Sequence, residues 1–86
     1  MYYSKKIRNL MEQWKAEADI KGVVLYNVKV HYNDNNETEY TLYICTNSPG
    51  SFIGPVGNRV ADYEHRISLL VGKRVKVHFI ETAELI

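Results

Sequence analysis

The chain has 86 residues, 45% of them apolar and 24% charged. That suits one domain with a single modest core and an ordinary globular composition. Eleven Lys and Arg stand against ten Asp and Glu, a net charge of +1, so no global basic surplus draws the chain to polyanions and any such attraction must rest on local clustering. Cys45 is the lone cysteine, which rules out an intrachain disulfide and agrees with a reducing compartment. No apolar run reaches the length of a membrane span and no signal-like stretch follows Met1, so a soluble cytoplasmic protein is the expectation.

Residues 4–19 place Ile7, Leu10, Met11, Trp14 and Ala18 at steps of three and four. This spacing predicts a helix with one buried stripe, with Trp14 as a core anchor and Gly22 as the stop. Residues 23–32 alternate: Val24, Tyr26, Val28, Val30 and Tyr32 face one way, and Leu25, Asn27, Lys29 and His31 the other. Period two predicts a strand with one buried face. Asn33-Asp34-Asn35-Asn36 is a turn-forming cluster, because Asn and Asp tolerate left-handed backbone and bond their own main chain. Residues 39–46 alternate again, with Tyr40, Leu42 and Ile44 on one face. The two runs predict an antiparallel hairpin.

The stretch from Thr46 to Val60 is rich in glycine and proline, with Pro49-Gly50, then Ser51-Phe52, then Ile53-Gly54-Pro55-Val56-Gly57. It predicts a short helix near Phe52 and a Gly-x-x-Gly loop, where the missing Cβ lets another backbone or a ligand come close. A helix over 58–70 follows, with Asn58 as its cap and Val60, Tyr63, Ile67 and Leu70 as its stripe. Residues 74–81 form the last strand, with Val75, Val77 and Phe79 on one face and Lys76, His78 and Ile80 on the other. Strands joined across helices pair in parallel. The expected fold is therefore α+β, in the order α-β-β-α-α-β, with a three-stranded mixed sheet covered on one face by helices, in one domain spanning 1–86.

This order, with Tyr40 to Cys45 leading into Pro49-Gly50 and Ile53-Gly54-Pro55-Val56-Gly57, and Asn58 to Leu70 leading into Lys73 to Glu81, resembles the type II KH domain, the kind carried by a small-subunit ribosomal protein. The resemblance implies binding of single-stranded RNA, or second to it DNA, with the Gly-x-x-Gly loop held against the backbone of about four nucleotides. Carried onto this chain, it makes Gly54, Pro55, Val56, Gly57, Asn58 and Arg59 the backbone-binding loop. Phe52, with Ile53, Val60 and the exposed face of the second strand, becomes a floor for bases. Phe52 and Ile53 have a competing role, which is to lock the short helix into the core. Lys73, Arg74 and Lys76 are the densest basic cluster and complete the expected nucleic-acid-binding set. The middle positions Pro55 and Val56 depart from the family's basic or polar pair: neither carries charge, and Pro55 has no N–H to offer a phosphate. This weakens the grip and opens an alternative, a KH-fold protein that acts through protein contacts, for instance as a homodimer.

Nothing in the sequence points to catalysis. His31, His65 and His78 lack metal-ligand spacing with Cys45 or with one another. No Walker-type lysine follows the glycines, no nucleophile motif appears, and no cofactor is implied.

Overall fold

The computed structural model describes residues 4–22, 24–32, 34–35 and 37–81. Helix α1 covers Ser4–Glu17, strands β1 and β2 cover Leu25–Tyr32 and Thr38–Thr46, and the short helix α2 covers Pro49–Ile53. A single 3-10 turn, Pro55–Gly57, runs directly into helix α3, Asn58–Val71, and strand β3, Val75–Glu81, closes the fold. The sheet order is β1-β2-β3. β1 and β2 are antiparallel, with Val28 opposite Leu42, and β2 and β3 are parallel, with Leu42 opposite Val77. The fold is thus the α+β arrangement with a mixed sheet that the alternation and the crossover predict. Val23, Asn33 and Asn36, from the expected strand start and turn, lie outside the described residues, while Asp34 and Asn35 sit in the turn itself.

The helices lie on one face. Ile7, Met11 and Trp14 from α1, Phe52 from α2, Tyr63 and Ile67 from α3, and Leu42, Ile44 and Val75 from the sheet form one buried cluster. Trp14 is its centre. Its ring stacks on Tyr63 at 5.0 Å with an interplanar angle of 3°. It meets Phe52 edge-on at 5.3 Å and Phe79 at 6.2 Å. Its Nε1–H donates to the Phe52 carbonyl at 2.9 Å, so the one polar atom of the ring is satisfied inside the core. That carbonyl belongs to the last turn of α2, where helix geometry leaves acceptors unpaired. One side chain therefore anchors α1 and ties down α2.

Three local details differ from expectation. α1 stops at Glu17, before Gly22: Asp19 takes φ 56, the Asp19 N–H bonds the Ala16 carbonyl at 3.2 Å, and the Ile20 N–H bonds the Lys15 carbonyl at 2.9 Å. This is a Schellman-type ending with Asp in the usual glycine position, and Ile20 packs back on the core as such endings favour. Val30 and Tyr32 share the parity of Tyr26 and Val28, yet they are 49% and 74% exposed, because the helical layer stops short of the hairpin tip. Asn58 is already helical at φ −61, its N–H bonded to the Pro55 carbonyl, and Gly57 holds the cap position with no side-chain cap. The 3-10 turn feeds straight into α3 and leaves no non-helical position for Asn58 to cap from.

The outer edge of β3 is not bare. The Val75 N–H donates to Ser68 Oγ at 2.9 Å and the Val77 N–H to Glu64 Oε2 at 3.3 Å. Two side chains of α3 thus occupy donors that would otherwise template another strand. Among the described residues no helix is long and apolar enough to cross a membrane.

Candidate nucleic-acid interface

The loop from Gly54 to Gly57 is built by backbone constraint. Gly54 adopts φ 76, ψ 175, a region open essentially to glycine alone. A Cβ there would stand 2.8 Å from the Arg59 Cβ. Gly54 is therefore required twice, by its own torsions and by the close passage of α3. Val56 takes φ 56, ψ 22 and Gly57 φ 74, ψ 13, so two left-handed residues follow one another. A β-branched residue in that region is an outlier. Val56 is also 99% exposed, so no packing repays the strain.

The loop's amides are partly spoken for. The Gly54 N–H bonds the Gly50 carbonyl at 2.9 Å and the Gly57 N–H bonds the Gly54 carbonyl at 3.2 Å. Arg59 is the one cation between Asn47 and Val60, and that stretch holds no carboxylate. Its Nη1 donates to the Ser51 carbonyl at 2.6 Å, which ties α3 to α2. The guanidinium is thus a structural bracket at the base of the loop. Asn58 is exposed on the first turn of α3.

The remaining expected residues divide. Phe52 is fully buried, its ring packed on Trp14 at 5.3 Å and Phe79 at 5.8 Å. It belongs to the core and cannot serve as a floor for bases. Ile53 and Val60 are half-buried. Lys73, Arg74 and Lys76 are exposed, but they do not join the loop. β3 runs parallel to β2, so the 14 residues of α3 carry the chain back along the sheet, and a helix of that length spans about 21 Å. The basic cluster sits at the far end of α3 from Gly54. One short oligonucleotide segment on the loop does not also reach it.

The exposed face of the second strand, which the resemblance makes part of the base floor, lies on the side of the sheet turned away from the helices. Tyr43 stands there between His31 and His78, with ring centroids 6.4 and 5.5 Å away, and the Lys29 ammonium lies 5.6 Å from its ring centroid. Alternation along each strand puts these residues on one side, but their grouping depends on the cross-strand register. Among the described residues no group of three His, Cys, Asp or Glu side chains is placed to hold a metal ion. Comparisons with protein-family models, with curated proteins and with solved structures find no match to this chain.

Proposed function

We propose that the chain is a small KH-type module that binds single-stranded RNA weakly, with the Gly54–Gly57 loop against the nucleic-acid backbone. The observation that carries this reading is Val56, held left-handed and 99% exposed between two glycines at the amino end of a 14-residue helix. Strained residues of this kind cluster at ligand clamps and switch regions, which supports a contact made by this loop. The amino end of α3 favours an approaching phosphate, and the absence of carboxylates from Asn47 to Val60 leaves that approach unopposed. With Arg59 already bonded to Ser51, few cations engage the ligand, so affinity is low and falls gently with salt. Retention on immobilised single-stranded RNA, eluted by rising salt, tests the reading: weak retention lost at moderate salt supports it, and no retention at low salt removes it.

A second reading has its own support. Val56 is apolar, Pro55 offers no N–H, and the amides of Gly54 and Gly57 are satisfied internally. A loop of that chemistry also suits the apolar pocket of a protein partner. In that case Val56→Asp abolishes the partner contact while RNA retention stays absent throughout.

A further inference from the structure

The sheet face turned away from the helices is ordered in rows by the register. Leu25, Cys45 and Ile80 form the row nearest the end of β2 that leads to the loop. Asn27, Tyr43 and His78 form the next, and Lys29, Thr41 and Lys76 the third. His31 and Glu39 stand opposite each other beyond these. The partners of opposite parity (Tyr26, Val28, Leu42, Ile44, Val77 and Phe79) pack against the core, so these rows face outward. An open depression of about 330 Å³ lies over Leu25, Asn27, Lys29, Tyr43, Cys45 and Ile80. Leu25 is 66% exposed at its rim.

We propose that this face is a binding surface for two or three nucleotides of single-stranded nucleic acid, with a base against Tyr43 and phosphates at Lys29 and Lys76. It is separate from the loop and does not rest on the loop's reading. Three features choose the occupant. Lys29 and Lys76 flank Thr41 on neighbouring strands, two strand spacings or about 9.6 Å apart, with the aromatic row beside them. The Lys29 ammonium lies over the Tyr43 ring, so cation and π-face adjoin, and a base that stacks there displaces the ammonium toward a phosphate, the combination that single-strand surfaces use. Among the described side chains of these rows, Glu39 is the one carboxylate, and it lies beyond the lysine row from Tyr43. A second copy of the chain would have to bury both lysines with little opposite charge to meet them. An anionic ligand with flat rings meets the charge and the aromatic surface together.

The test uses the full chain with a twelve-nucleotide oligo(U) followed by amide chemical shifts and by fluorescence anisotropy. The expected shifts fall on residues 27, 29, 41, 43, 76 and 78. Lys29→Glu with Lys76→Glu lowers affinity at least about tenfold and removes about 1.4 from the magnitude of the log–log salt slope, as two lost phosphate contacts on a single strand require. Lys29→Arg with Lys76→Arg preserves binding. Tyr43→Leu, which keeps the strand apolar, costs roughly five- to hundredfold, the range of one lost base stack. Oligo(dT) binds similarly, because phosphates and base faces are common to both. Pro55→Asp with Val56→Asp leaves the shifts on this face in place, which separates this surface from the loop. The proposal is overturned if the charge-reversed and Tyr43→Leu proteins bind as wild type does, if oligo(dT) is refused, if wild type binds neither oligonucleotide, or if shifts on these residues follow protein concentration instead of added oligonucleotide, the mark of self-association.

Discussion

The indole N–H of Trp14 reaches across 38 positions of sequence to the backbone carbonyl of Phe52, at 2.9 Å in the core. This bond positions the loop, because Phe52 lies two residues before Gly54. Trp14→Phe keeps most of the apolar burial but leaves that carbonyl unpaired, a loss of about 1–3 kcal/mol. Trp14→Ala also opens a cavity and costs about 3–5 kcal/mol. Urea titrations of the two variants give these values, and a Trp14→Ala protein as stable as wild type would contradict the assignment of Trp14 to the core.

Gly54 and Gly57 make different demands. At Gly54 alanine meets both a glycine-only torsion and the Arg59 Cβ at 2.8 Å, so Gly54→Ala costs at least about 2 kcal/mol. Nothing lies within 4 Å of a Cβ at Gly57, so Gly57→Ala loses only the left-handed penalty of about 1–2 kcal/mol. Val56→Asn relieves a β-branched residue from the same region and gains about 1 kcal/mol. Thermal unfolding ranks the three, and equal losses at the two glycines would show that Arg59 does not crowd Gly54.

Asp19 offers a cleaner gain. It occupies the left-handed position that ends α1, where glycine has no steric cost. Asp19→Gly raises stability by about 0.5–1 kcal/mol, read as a higher urea midpoint at unchanged slope.

Tyr63 carries the alkaline sensitivity of the core. Burial raises its pKa from 10.0 to about 12, with the Glu17 carboxylate adding to the rise, Arg66 opposing it and Asp62 adding again. The hydroxyl is the buried side-chain polar atom without a hydrogen-bond partner among the described residues, so Glu17 acts on it as a nearby charge and not as a closed hydrogen bond. A phenol whose folded pKa is raised contributes its full stability below pH 10.0 and loses it as pH climbs toward about 12. Tyr63→Phe keeps the stack on Trp14 and removes an unsatisfied hydroxyl, so at neutral pH it is neutral or stabilising by about 1 kcal/mol. It also flattens the loss of stability at high pH. Phenolate absorbance and unfolding midpoints across that window check both statements. A Tyr63→Phe protein that is less stable at neutral pH would mean that the hydroxyl has a partner.

Much of the fold is legible in the chain because its signals are periodic. Alternation in residues 23–32 and 39–46 exposes the hairpin, the helical step from Ile7 to Ala18 exposes the buried side of α1, and a crossover through helices gives the parallel pairing of β2 with β3. The site is less legible. Five residues of α2 are too few to show a period, so the sequence leaves Phe52 undecided between core and surface until Trp14 and Phe79 close around it. Arg59 reads as a free cation, whereas its tie to the Ser51 carbonyl depends on how α2 and α3 meet. The distance between the loop and Lys73-Arg74 follows from the direction of α3, which places residues close in sequence order at opposite ends of the sheet. The grouping of Tyr43 with His31 and His78 needs the register of three strands at once.

The proposed contact of the Gly54–Gly57 loop with a nucleic-acid backbone can be measured directly. Its most direct test is RNA affinity at about 50 and about 200 mM salt for wild type, for Pro55→Asp with Val56→Asp, and for Pro55→Lys with Val56→Lys. Asp and Lys fit the left-handed position no worse than valine, so the fold is kept in both variants. Wild type binds weakly, with a log–log salt slope near −0.7 for each phosphate engaged. The double Asp protein binds more weakly than wild type at both salt concentrations and keeps only the salt slope of the contacts on the Tyr43 face. The double Lys protein binds more tightly, and its slope steepens by about 1.4 for two added contacts. Equal affinity in all three proteins, or no binding by any of them at the lower salt, would rule out a backbone contact at the loop and leave it as a protein-contact surface.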